Sequence, residues 1–253
     1  MTVHEHKGRH QALALAVLAL TALAACTDGT APAPQPRVVT PLGARGSNGG
    51  EMSLKEGALY VADLHPLNAK VQQALDPDPR DPHGVTTGKA YFRVVGGMLH
   101  AVVDVTGAEP TEAGSALEGI HPQHIHAASQ CPPASADGDI DGVSDGIVDV
   151  IEGLPFYGAI LVPLDGNINN TTSEIPTFPF ATGARGEYHY EATASVATLT
   201  AALGEALNLP MRHVVIHGVD LDTPLPATVR SLPGLPAQVT LPVACGEIRE
   251  MGQ

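Results

Sequence analysis

His124 and His126 stand two residues apart in the stretch His-Pro-Gln-His-Ile-His-Ala-Ala-Ser-Gln-Cys, residues 121–131. Side chains alternate between the faces of a strand, so both imidazoles would leave one face and could reach a single metal ion. Imidazole nitrogen suits copper or zinc, and the spacing does not choose between them. A solvated histidine pair on a half-exposed strand would carry the same spacing. Three neighbours favour the metal: His121 just upstream, Cys131 just downstream, and the mostly apolar run Arg212-His-Val-Val-Ile-His-Gly218 with histidines at 213 and 217.

The elements that would hold these residues are short. The chain has 253 residues with 27 glycines, 22 prolines and no tryptophan, a balance that favours short strands and turns over long helices. Residues 57–64 read as a first strand and 69–75 as one or two helical turns, while the prolines of 76–83 force a loop. Lys89–Val95 and Met98–Val105 flank Gly96-Gly97 and predict a hairpin. After a loop over 107–120 and the histidine strand come an acidic loop, strands at 157–164 and 186–191, a short helix within 194–206, and closing strands at 212–218 and 238–248. About eight such strands predict an antiparallel sandwich or barrel. In such a fold His65 and His83 read as solvent histidines and His100 as a strand-face residue.

Lys7 and Arg9 precede an apolar run over 12–25 that is too short for a comfortable membrane span and suits a secretory signal. The run ends in Leu23-Ala24-Ala25-Cys26, which resembles the lipobox of bacterial lipoproteins. That resemblance implies a signal peptide over 1–25, a lipid on Cys26 that holds the protein to a membrane, and a place in the bacterial cell envelope, periplasmic or surface-exposed. An ordinary cleaved signal is the alternative. Residues 26–55, rich in proline and glycine, read as a flexible tether to a domain over 56–253. An extracytoplasmic compartment permits disulfides, and with Cys26 given to lipid, Cys131 and Cys245 remain to pair. The formal net charge of −14 argues against nucleic acid and against charge-driven binding to anionic head groups.

Three separated segments resemble, in order, the copper/zinc superoxide dismutases. They are Gly119-Ile-His121-Pro-Gln-His124-Ile-His126 with Cys131 following, His213-Val-Val-Ile-His217 with Gly218-Val-Asp220-Leu-Asp222 after it, and Ala244-Cys245-Gly246-Glu-Ile248. The upstream hairpin is similar to the related chordin-type (CHRD) domain. The resemblance covers roughly residues 57–250 and implies a Greek-key antiparallel β-sandwich or barrel. It also implies copper on His124, His126 and His217, support from His121, a Cys131–Cys245 bridge, and superoxide as a small anionic substrate. Asp220 or Asp222 would then orient an imidazole, as carboxylates commonly do behind metal ligands.

The departures are informative. No histidine occurs from 127 to 188, so the family's zinc half is not expected, and His189 becomes a candidate further ligand. Pro242 stands where the family places an anion-guiding arginine. In place of a zinc loop, Asp141-Gly-Val-Ser-Asp145-Gly146-Ile-Val-Asp149-Val-Ile-Glu152 resembles a twelve-residue EF-hand loop, with Val143 where a side-chain oxygen is usual. A second register from Asp137 offers Asp139 and Asp141 with Gly142 at the turn, but ends on Val148. Calcium, held by Asp139, Asp141, Asp145, Asp149 and Glu152, would rigidify an insertion over 137–152; a solvated acidic loop is the plainer reading.

These residues point to a copper-binding, zinc-free, superoxide dismutase-like lipoprotein. The alternative is a non-catalytic metal-binding or adhesion module of the same fold. Retention of three histidines favours copper chemistry, and loss of the arginine and of the zinc ligands favours binding.

Overall fold

The computed structural model describes residues 54–74, 84–110, 117, 119–138, 140 and 142–252. The chain divides into Met1–Ser47 and Asn48–Gln253, and every described residue belongs to the second unit. The signal and lipid assignments, including Cys26, the tether up to residue 53, the calcium candidates Asp139 and Asp141, and His83 all lie outside the described residues.

The fold is all-β. Among the described residues nine strands run in chain order as β1 (Leu59–Pro66), β2 (Thr87–Val95), β3 (Met98–Thr106), β4 (Gln123–His126), β5 (Ile160–Pro163), β6 (Tyr188–Ser195), β7 (His213–His217), β8 (Pro242–Glu247) and β9 (Arg249–Glu250). Four short helices join them: α1 (Ala69–Ala74), α2 (Val150–Tyr157), α3 (Val196–Leu203) and α4 (Ala237–Thr240). The spatial order is β5-β4-β7-β8-β1-β2-β3-β6, with β9 also on β1. Every strand pair is antiparallel, and the sheet curls into a half-barrel.

Alternation sets the faces. On β1 to β3, Tyr60, Ala62, Leu64, Ala90, Phe92, Leu99, Ala101 and Val103 turn inward. They meet Ile125, Val162, Val214 and Ile216 from the other half of the sheet. Burying a side chain such as Phe92 or Leu99 completely contributes about 2–3 kcal/mol. The Gly96-Gly97 hairpin forms as expected, with φ of 59° and 72°, the left-handed values that a two-residue turn between twisted strands requires. Across the outer face of this half runs a ladder of charged neighbours, Asp63, Lys89, Asp104 and His189, one from each of β1, β2, β3 and β6.

Strand β7 is buried on both sides. Val214 and Ile216 enter the core, while Val215 packs outward with Tyr157 and Cys245. The outward side of β4 and β7 is therefore a second, smaller interior under α2 and the segments around 173–178 and 231–240. Cys131 and Cys245 form a disulfide with Cα atoms 5.8 Å apart, fastening the chain beyond β4 to β8. A bridge closing 114 residues contributes about 2–4 kcal/mol, mostly by restricting the unfolded chain.

Two elements differ from expectation. Residues 157–164 were expected as one strand, but α2 ends at Tyr157 and β5 begins at Ile160. Residues 238–248 divide into α4 and β8, because Pro242 cannot continue a helix. The helix expected within 194–206 is α3, started by the Ser195 side chain on the Thr198 N–H and stopped by Gly204 at φ 72°.

Candidate metal centre

Strands β4 and β7 pair with His124 opposite Val215 and His126 opposite His213. A bulge after Ile216 re-aims His217. The imidazoles of His124, His126 and His217 consequently converge under the cover of the second interior. One ligand atom from each lies within 4.8 Å of the others, the one such trio of His, Cys, Asp or Glu among the described residues. Ring centroids are 5.6 Å apart for His124–His126 and for His124–His217, and 6.0 Å for His126–His217. All three are buried.

Hydrogen bonds to the backbone fix which nitrogen faces inward. Nδ1 of His126 lies 2.9 Å from the Gly158 carbonyl, and Nδ1 of His217 lies 2.8 Å from the Thr240 carbonyl. A carbonyl only accepts, so each Nδ1 donates its proton and each Nε2 keeps a lone pair. His124 is turned the other way, with Nε2 3.2 Å from Ser173 Oγ. Within the trio, the buried atoms left without a partner are His124 Nδ1 and His126 Nε2. Burying a polar atom unpaired costs about 1–3 kcal/mol, and two such atoms beside each other are what a metal ion would satisfy.

Burial also keeps these rings uncharged. Desolvation, reinforced by neighbouring imidazoles, holds His124 and His126 well below the usual histidine range. Desolvation pushes His217 down to about 4. Neutral imidazoles are the ligating form, so near neutral pH the trio needs no deprotonation to bind.

His121, expected as a supporting residue, is fully buried just before β4. Its ring lies between two carbonyls, with Nε2 2.9 Å from Glu109 O and Nδ1 3.3 Å from His217 O, of which a neutral ring donates to one, and it stacks on Tyr188. It braces the backbone of His217 and does not face the trio.

Asp220 and Asp222 correct the expectation that a carboxylate orients an imidazole. Asp220 accepts from the Asp222 N–H in the turn after β7, and the orienting role belongs to the carbonyls of Gly158 and Thr240. His189 is a second correction. It sits on β6, at the far end of the strand order, on the exposed face with Nδ1 2.7 Å from Asp104, which raises its pKa.

His213 was noted in the sequence but left out of the ligand set. It is fully buried, stacks on His126 at 5.9 Å, and holds the Ala128 carbonyl through Nδ1. Its Nε2 has no partner, and burial pushes its pKa down to about 4. The signal was the spacing 213, 215, 217, which puts His213 on the same strand face as His217.

The acidic loop is closed by its own carboxylates. Asp137 accepts from the N–H groups of Asp145 and Gly146 and from the Ser144 hydroxyl, which lowers its pKa. Asp145 accepts from the Ile147 N–H and from Thr228. Asp149 caps α2 and Glu152 returns to the Asp149 N–H, a reciprocal capping box. Arg230 then lies against both, with Nε 2.9 Å from Asp149 Oδ2 and Nη2 3.5 Å from Glu152 Oε1.

The cover over the histidines leaves a cavity of about 330 Å³. Pro122, Val150, Leu154, Tyr157, Ile160, Ile175, Phe178, Leu232, Leu235 and Val239 supply its walls, and the three histidines, Ser173 and Thr240 supply its polar atoms. A larger hollow of about 820 Å³ is an open trough on the charged outer face around Asp63, Lys89 and Asp104, away from the trio. No protein-family model matches this chain, and a search of curated proteins finds no match either.

Proposed function

We propose that the protein is an extracytoplasmic copper-binding protein whose ion is held by His124, His126 and His217. The observation that carries this reading is the convergence of three buried imidazoles, with His124 Nδ1 and His126 Nε2 left without a hydrogen-bond partner. A donor set of nitrogen alone suits copper, which also binds such sites more tightly than other divalent first-row metals. Bound copper would supply one-electron chemistry between two oxidation states, the kind that superoxide disproportionation needs. This chain's residues bury the site, fix its tautomers through Gly158 and Thr240, and limit water around it.

Whether turnover accompanies binding is a separate arm of the proposal. None of the described residues lining the cavity is charged, and Pro242 stands where the family places a guiding arginine, so no side chain there adds to the ion's own attraction for the anion. That favours the binding reading over rapid dismutation. Metal analysis of the copper-loaded chain, with superoxide consumption by wild type and His126→Ala, tests both arms. We expect one copper per chain that is lost in the variant. Consumption that depends on His126 would establish the enzyme, and wild type without copper would end the proposal.

Two further parts accompany it. A lipid on Cys26 would hold the protein at the envelope, and Cys26→Ala should release it into the soluble fraction. A calcium ion on the acidic loop is supported by the positive φ of Gly142 (77°) and Gly146 (88°), the sixth positions of the two registers. Helix α2 also begins directly after Asp149, the ninth position of the register from Asp141. Calcium would compete there with Arg230, and a melting temperature unchanged by calcium on the order of 1 mM would remove this part.

A further inference from the structure

The cavity above the histidines has the size and chemistry of a small-molecule site. Its volume of about 330 Å³ falls at the lower end of the range usual for ligand pockets, roughly 300–1,000 Å³. Its walls come from stretches distant in the chain: Val150, Leu154 and Tyr157 from α2, Ile175 and Phe178 from the segment after β5, and Leu232, Leu235 and Val239 from the segment before β8. The polar side chains are those of the three histidines, Ser173 and Thr240. His124 packs edge-on against Phe178 at 5.2 Å, and His126 is tilted against Tyr157 at 4.8 Å, so aromatic surface surrounds the polar floor.

We infer that this cavity admits a small, neutral, largely hydrocarbon molecule bearing one hydroxyl, seated with its oxygen toward His124, His126 and His217. An anion would leave water for an uncharged apolar enclosure with no cationic side chain among the described lining residues, and that transfer is costly. An ammonium ion would meet the same walls without a carboxylate. A neutral molecule gains from burying hydrocarbon against leucine, isoleucine and phenylalanine, and its hydroxyl finds nitrogen lone pairs or a metal at the floor. The inference rests on the metal-centre reading only for what the hydroxyl faces, because the walls do not depend on copper.

The test uses three ring compounds of matched size: benzyl alcohol, benzoate and benzylamine, titrated into the full chain at neutral pH with and without copper. We expect saturable binding of benzyl alcohol that exceeds the other two by about tenfold or more, equivalent to about 1.4 kcal/mol. Leu154 lines the cavity and is 44% exposed, so Leu154→Arg alters the mouth without disturbing the core. That variant should weaken benzyl alcohol, strengthen benzoate, and leave copper stoichiometry at the wild-type level. Benzyl alcohol that fails to saturate, or benzoate that binds the metal-free chain as tightly, overturns the inference even where copper binds. Benzyl alcohol binding to a chain that takes no copper would uphold this inference while the metal reading fails.

Discussion

The Thr240 carbonyl holds Nδ1 of His217 at 2.8 Å, and the Thr240 hydroxyl lies 2.8 Å from that of Ser231. One residue of the cover thus sets the tautomer of a candidate ligand and joins the roof that encloses it. His126 is served in the same way by Gly158, at the end of α2. His124 alone relies on a side chain, Ser173.

That exception gives the first prediction. Ser173→Ala should lower copper affinity by roughly tenfold, within the range for lost outer contacts behind metal ligands, without changing stability measurably. Ser173→Thr keeps the hydroxyl and should restore most of the affinity. Competition against a copper chelator on the three proteins checks this.

The second concerns pH in the metal-free protein. The folded-state pKa values of His124, His126, His213 and His217 are depressed, so below the unfolded value near 6.5 the unfolded chain binds more protons. Stability is therefore fully present above about 6.5 and falls as pH drops toward about 4, where His213 and His217 protonate in the folded state. His217 alone accounts for about 3 kcal/mol of that loss. Denaturation of the metal-free chain at pH 7 and pH 5 should show the drop. Copper loading should reduce it, because the ion competes with the protons.

A third prediction concerns Asp149, which caps α2 and pairs with Arg230 while only 2% exposed. Asp149→Ala removes the cap and the nearer of the two carboxylates that the partly buried Arg230 guanidinium meets. It should cost about 3 kcal/mol by urea denaturation. Asp149→Asn keeps a capping oxygen and should cost less.

Cys131→Ser with Cys245→Ser should lower stability by about 2–4 kcal/mol. A reducing agent should destabilise the wild type by a comparable amount and leave the double variant unchanged.

Much of the sheet was legible because its signals are local. The β2–β3 hairpin follows from alternation around Gly96-Gly97, and the shared face of His124 and His126 follows from their spacing, whereas His217 was singled out over His213 only by the resemblance of its strand to a copper-ligand strand. Helix α2 was hidden because Gly153 and Pro155 disrupt its pattern, although Asp149 and Glu152 spell its start. His189 was misassigned because spacing says nothing about which end of a sheet a strand occupies. Asp220 and Asp222 were misassigned because carbonyl acceptors such as Gly158 O and Thr240 O are carried by every residue and leave no mark in the sequence. The cavity was invisible for a related reason, since Leu154 and Leu235 meet only through the tertiary fold.

Pairing of β4 with β7 places His126 directly opposite His213. Sliding either strand by a single position would exchange its inner and outer side chains, sending histidines into the hydrocarbon core. Copper uptake would then serve as a direct reporter of correct strand alignment. A chain that aligned wrongly during refolding would reveal itself by failing to take up the ion, whatever its overall content of β-structure.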